Sequence, residues 1–227
     1  MRLLNVGGGN KRIPIPAHFA GWEHQMLDID PNSGADVVCS ATEIKERLAD
    51  KGYDAVYCSH NLEHYHRHDL PKVLDGFKYI LTDDGFAEIH VPNMRDVFMA
   101  LASGKDIEDI AYISQAGPIK YVDIVYGLGA MIEHGNEFMA HKNGFTPKSL
   151  GETLFKSGFK WVFVGENKPN MEIVAFAFLN HPTERQMQDL KLLHAPNAPT
   201  PPIKATLSVS GLQPDADVGA PISEESC

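Results

Sequence analysis

LLNVGGGNKRIPIP, Leu3 to Pro16, begins with apolar Leu3, Leu4 and Val6 and runs straight into Gly7, Gly8 and Gly9. A short apolar run bounded by glycine reads as a buried strand entering a tight loop. Glycine has no Cβ, so the backbone of such a loop can come close to a ligand, although tight turns also use glycine for purely structural reasons. The residues after the loop restrict the ligand. A dinucleotide-binding loop carries a third spaced glycine and opens a long helix whose N-terminus holds pyrophosphate. Here position 12 is Arg12, and Pro14 and Pro16 stand where that helix would run. No long helix is expected, and the loop suits a nucleoside ligand without phosphates.

Outward from the loop, HQMLDID (His24 to Asp30) is a second strand stopped by Pro31. It sets Asp28 about twenty residues beyond the glycines, where an acid accepts hydrogen bonds from ribose hydroxyls. Asp30 is the alternative acid, or a cap for the turn at Pro31. ADVVCSA (Ala35 to Ala41) reads as a third strand, followed by a helix from Thr42 to about Lys51 with Thr42 as its N-cap. YDAVYCS (Tyr53 to Ser59) is a fourth strand. Leu70, Val73, Leu74, Phe77, Ile80 and Leu81 recur at helical spacing, with Asp69 placed to cap and Pro71 in the first turn. FAEIHV (Phe86 to Val91) is the fifth strand.

Met94 to Phe145 is looser, punctuated by Gly104, Gly117, Gly127 and Gly129, and predicts short helices and loops laid over the sheet edge. Thr146-Pro147 starts a helix to about Ser157, stopped by Gly158. KWVFVG and MEIVAFAFL, joined by ENKPN, read as an antiparallel hairpin. Strands alternating with helices point to an α/β, doubly wound, mostly parallel sheet. Residues 1–185 make one domain, with 94–145 as a cap between strands five and six. From about Ala195 to Cys227 the chain is rich in Pro, Ala, Ser and Asp without periodicity, which predicts a disordered tail.

A formal net charge of −10 argues against tracking nucleic-acid phosphates, because that binding depends on Lys and Arg neutralising them. No apolar run approaches the ~20 residues of a membrane span, so no membrane partner is expected. The N-terminal apolar stretch is too short for a signal peptide. Cys39, Cys58 and Cys227 show no CxxC spacing and leave one thiol unpaired, which fits reduced thiols and a cytoplasmic location.

LNVGGGN, LDIDP, YDAVYCSHNLEHY and FAEIHVPN, in this order, resemble the motifs of class I S-adenosylmethionine-dependent methyltransferases. The likeness is to the short methyltransferase-11-like enzymes, whose fourth strand runs into S-H-x-L-E-H. HKNGFTPKSLGETLFKSGF, His141 to Phe159, is similar to their closing segment. The resemblance covers Met1 to Leu179. It implies a Rossmann-like seven-stranded sheet with the last strand antiparallel, and S-adenosyl-L-methionine as cofactor. By position, Gly7, Gly8 and Gly9 would pass beneath the methionine part, Asp28 would bind the ribose and Ile29 would pack on the adenine. Ser40 and Ala41 would border the adenine edge, and Ser59 and His60 would line the methionine side. Three positions depart from the family. Asn5 stands where an acid usually helps hold the ammonium group, Lys11 replaces a frequent glycine, and Ser40 replaces a common aspartate.

CSHNLEHYHRHD, Cys58 to Asp69, holds four of the eleven histidines. Its His64-Tyr65-His66-Arg67-His68-Asp69 lies one transposition from the metallo-β-lactamase ligand pattern, but an α/β sheet is the wrong context for it, and no metal is expected. His66 and His68 read as solvated loop residues. His64 and His60 are the candidate bases for drawing a proton from a methyl acceptor, since histidine titrates near neutral pH. His64 could equally serve only to hydrogen-bond within its loop. Tyr126, His134 and His141 are candidate substrate-binding residues of the cap. The expected function is methyl transfer to an oxygen or nitrogen of a small-molecule acceptor. An NAD-binding Rossmann oxidoreductase and a non-catalytic scaffold with a degenerate methyltransferase fold are the alternatives.

Overall fold

Strand β1 (Arg2–Val6) lies at the centre of a seven-stranded sheet, between β2 (Glu23–Asp28) and β4 (Tyr53–Ser59). The computed structural model describes residues 1–49, 51–114 and 116–192; the predicted tail, 195–227, lies outside them. Beyond β2 the edge is the two-residue β3 (Val37–Val38). Beyond β4 come β5 (Leu81–Pro92), β9 (Glu172–Phe178) and β8 (Trp161–Asn167). Pairings from β3 to β5 are parallel, and β9 runs antiparallel to both its neighbours. The last strand in the chain is therefore the reversed one, as the resemblance implies.

One face of the sheet is covered by α1 (Ile44–Arg47), α2 (Leu70–Ile80) and α6 (Pro147–Lys156). Ile44, Val73, Leu74, Phe77, Leu150 and Leu154 pack there against Leu4, Val56 and Ile89. The opposite face is covered differently. Between β1 and β2 the chain makes only a single 3-10 turn, Ala17–Phe19, because Pro14 and Pro16 lack the amide hydrogens a helix needs. From this segment Phe19 stacks on Phe86 and Trp22 meets it edge-on, and Leu192 is buried in the same cluster. Helix α7 (Glu184–Asp189) leads to Leu192, so the packed chain continues past residue 185.

Two helix details differ from the sequence reading. The helix after β3 is short: Ser40, not Thr42, supplies the cap, its Oγ accepting the Thr42 N–H, and a 3-10 turn (Ala41–Glu43) precedes the single turn of α1. Asp69 occupies the N-cap position of α2, but its side chain makes no capping hydrogen bond. The start of α6 is as read, with Thr146 and Ser149 bonded reciprocally.

Residues 94–145 form the cap. It holds α3 (Met94–Ala102), the hairpin of β6 (Ile110–Ser114) and β7 (Gly117–Lys120), α4 (Tyr121–Tyr126) and α5 (Gly129–Glu133). The cap has its own small core of Val97, Tyr121 and Ile124. Its two ends meet, for Asn93 bridges Phe145 and the Met94 amide donates to the Phe145 carbonyl at 2.9 Å.

Candidate functional site

In open parallel sheets, ligands sit at the carboxyl ends of the strands where the strand order reverses. Here that point lies between β1 and β4. Gly7 leaves β1 at φ +71°, and its amide donates to the Leu27 carbonyl at 2.8 Å. A Cβ at Gly7 would fall 2.5 Å from Asn61 Cγ, so the side chain of Asn61 packs directly on the glycine. Gly8 is similarly crowded, by Met26 and the buried Asn5, whereas a Cβ at Gly9 would meet only Ile13, at 3.7 Å.

Asp28 ends β2 and is buried. Its Oδ2 accepts the Gly9 amide at 2.8 Å and its Oδ1 accepts the Asp30 amide at 2.9 Å. A carboxylate has about four acceptor sites, so both oxygens keep capacity for ribose hydroxyls. Ile29 beside it is 40% exposed, an apolar surface open at the crevice. Asp30 turns away and accepts the Asn32 amide. Ser40 and Ala41 follow β3, but the Ala41 amide already donates to the Tyr65 hydroxyl at 3.2 Å. Gly9, Asp28 and Ile29 thus set an open backbone, an acceptor carboxylate and an apolar surface side by side at the strand-order switch. No acid stands at Asn5 or Ser40.

Beyond Ser59 the chain enters a polar system that sequence reading did not anticipate. His60 takes a positive φ of 48° and donates its amide to the His90 carbonyl. Its Nε2 is 2.8 Å from Glu172 Oε1, and its Nδ1 is 3.4 Å from Glu63 Oε1. Glu172 also meets His90 Nδ1 at 3.3 Å, His90 Nε2 meets Glu88 Oε1 at 2.8 Å, and Glu88 Oε2 meets His18 Nε2 at 2.7 Å. Acids and imidazoles thus alternate from the segment after β1, across β5 and β9, to the exit of β4. Crowding by the protein disfavours the charge of His60, although 44% of its side chain stays exposed, and Glu172 and Glu63 overcome this and raise its pKa to about 10. His90 is likewise raised to about 9, burial being outweighed by Glu172 and Glu88. Burial pushes Glu172 up, yet its two histidines hold it well below the usual carboxylate range. The one local signal was Glu88 and His90, two polar residues on the same face of the otherwise apolar stretch Phe86–Val91.

His64 stands beside this system, in the 3-10 turn Leu62–His64. Its ring lies 4.8 Å from that of His141, which the cap brings in. The structure therefore joins His64 and His141. His134 stays on exposed α5, its Nδ1 donating to the Ala130 carbonyl, and Tyr126 is 63% exposed. His66 and His68 stack on each other at the surface. A cleft of about 330 Å³, lined by His60, Tyr112, Ser114, Asn170 and Glu172, opens between the cap hairpin and the start of β9. A larger concavity of about 640 Å³ lies away from the crevice, between α2 and α6. Cys39 and Cys58 are buried, and burial raises both thiols.

No protein-family model matches the chain, and no curated protein matches it. Solved structures do. A protein from Pyrococcus horikoshii OT3 aligns at 15% identity over 78% of this chain and 81% of its own, with a TM-score of 0.53. A putative O-methyltransferase from Nostoc punctiforme aligns at 13% identity over 78% of this chain and 52% of its own, with a TM-score of 0.50. The CMeT domain of the citrinin polyketide synthase aligns at 13% identity over 80% of this chain and 47% of its own, also at 0.50. The chain spans about half the length of these last two. Its fold is that of the class I methyltransferases.

Proposed function

We propose that the chain is an S-adenosylmethionine-dependent methyltransferase acting on an oxygen or nitrogen of a small molecule. The observation that carries this reading is the bare Gly9 and the buried Asp28 carboxylate, hydrogen-bonded together beside exposed Ile29 at the strand-order switch of a methyltransferase fold. The missing helix after Gly9 argues against a pyrophosphate ligand and so against NAD. When bound, the cofactor supplies a methyl carbon activated by its sulfonium.

The chain's task is then to position the acceptor and take its proton. His60 is ill-suited to that step: both ring nitrogens face carboxylates, and it is already protonated at neutral pH. The reading gives it a positioning role at the mouth of the 330 Å³ cleft. His64 is the better acceptor. Its Nδ1 donates to the Ala140 carbonyl at 3.2 Å, which leaves Nε2 as a lone pair.

Titration calorimetry with S-adenosylhomocysteine and with NADH tests the reading. One-to-one binding of the first and none of the second is expected. NADH binding without S-adenosylhomocysteine would overturn it in favour of an oxidoreductase, and binding of neither in favour of a scaffold. Once an acceptor is found, His64→Ala should lower turnover by ~10²–10⁴ while cofactor affinity stays within a few-fold.

A further inference from the structure

We propose that Glu63, His64 and His141 form a binding site for a divalent transition-metal ion of the zinc class. One potential ligand atom from each residue lies within 4.8 Å of those of the other two. The tautomers suit ligation. His64 Nδ1 faces the Ala140 carbonyl at 3.2 Å and His141 Nδ1 faces the Ile124 carbonyl at 2.9 Å. A carbonyl can only accept, so each Nδ1 carries the proton and each Nε2 keeps its lone pair. Metal-bound histidines are oriented in this way, their second nitrogen tied to a backbone carbonyl or carboxylate.

Glu63 is the second, independent observation. It is 1% exposed, and among the described residues neither carboxylate oxygen has a hydrogen-bond partner. A buried carboxylate without donors costs several kcal/mol. His60 Nδ1, at 3.4 Å from Oε1, offsets part of that, but nothing serves Oε2. A cation held by the carboxylate and two imidazoles would satisfy it. The backbone also fixes the site: the Glu63 carbonyl accepts the amides of Lys142 at 2.8 Å and Asn143 at 3.0 Å, which clamps the segment carrying His141 against the turn. In a tetrahedral site with bonds near 2.0–2.1 Å the ligand atoms stand about 3.3 Å apart, so closure needs side-chain movements of roughly 1 Å.

The ligand set selects the ion. Two imidazoles and one carboxylate suit zinc, cobalt or ferrous iron, whereas magnesium and calcium prefer all-oxygen shells. Three protein ligands leave a coordination position open. An acceptor hydroxyl bound there would be acidified, so the ion would do what a free His64 imidazole would otherwise do. That consequence rests on the methyl-transfer reading; metal binding itself does not. The proposal departs from the expectation of no metal, and in its ligands too: His64 pairs with a residue from the cap, not with His66 and His68.

The test strips the full chain with a chelator and titrates it with Co²⁺, without cofactor, following visible ligand-field absorption, and with Zn²⁺ against a chromophoric competitor. One ion per chain is expected. His141→Ala and His64→Gln should each weaken binding at least ten-fold, while the double variant His66→Ala/His68→Ala binds as the parent does. His141 is only partly buried, so its variant should fold, which circular dichroism checks. No binding, binding insensitive to His141→Ala and His64→Gln, binding lost with His66 and His68, or equal affinity for Mg²⁺ would each overturn the site. Binding of S-adenosylhomocysteine is measured separately, so failure of the metal site and failure of the methyl-transfer reading are distinguishable.

Discussion

Asp28 joins the two halves of the crevice, one carboxylate oxygen holding the Gly9 amide at 2.8 Å and the other the Asp30 amide at 2.9 Å. The same carboxylate thus shapes the glycine loop and, on the proposed reading, faces the ribose. Asp30 serves only its own turn. Asp28→Ala should weaken S-adenosylhomocysteine binding by roughly ten-fold to a hundred-fold, the effect of losing a charge-assisted hydrogen bond worth about 1.5–3 kcal/mol. Asp30→Ala should stay within a few-fold. Equal affinities by calorimetry would place the ribose elsewhere.

The two outer glycines should respond differently to a methyl group. Both hold positive φ, which costs an alanine about 1–2 kcal/mol. At Gly7 the added Cβ also collides with Asn61, while at Gly9 it meets only Ile13 at contact distance. Gly7→Ala should therefore lower cofactor affinity more than Gly9→Ala, and Asn61→Ala should recover part of the loss in the Gly7 variant. If Asn61→Ala rescues nothing, the collision is not what matters.

The acid–imidazole chain predicts a pH dependence of stability. His90 faces Glu88 and Glu172, and its pKa rises from 6.5 to about 9 on folding. The folded state holds a proton that the unfolded state releases, so this contribution is complete below pH 6.5 and is lost as pH climbs through about 9. Its size is on the order of 3 kcal/mol. The thermal midpoint of the parent chain should fall across that window, and the midpoint of His90→Gln should start lower and change less. Parallel curves would exclude His90 as the source.

Leu192 is buried against the aromatic face formed by Phe19, Phe86 and Phe178. Leu192→Ala should cost about 2–5 kcal/mol, which for a chain of this size is roughly 5–15 °C in midpoint. An unchanged melting curve would show that this segment does not close the sheet.

Much of the sheet was legible because its signals are local. Apolar runs ending at glycine or proline marked β1, β2, β4 and β5, and prolines 14 and 16 correctly argued away the helix after the loop. The helix after β3 was overread because its start depends on a competition between Ser40 and Thr42 for one amide, which spacing alone does not decide. The polar system was the least legible part. His18, His60 and Glu172 come from three separate places in the chain and Glu88 and His90 from a fourth, and only the sheet register brings them together. His64 and His141 were each singled out, yet their meeting depends on backbone bonds from Glu63 to the cap.

The junction where Asn93 bridges Phe145 has a further consequence. Because residues 94–145 leave and re-enter the sheet at one point, the demands on them are concentrated near their ends: these must meet, Arg95 and Asp96 pair with Glu166 and Lys168, and Lys142 and Asn143 bond to the Glu63 carbonyl. A foreign segment that keeps those end contacts could be spliced there while the proposed cofactor cradle of Gly9, Asp28 and Ile29 stays as it is. On the proposed methyl-transfer reading, acceptor preference would travel with this insert, and chimeras joined at the junction would test that directly.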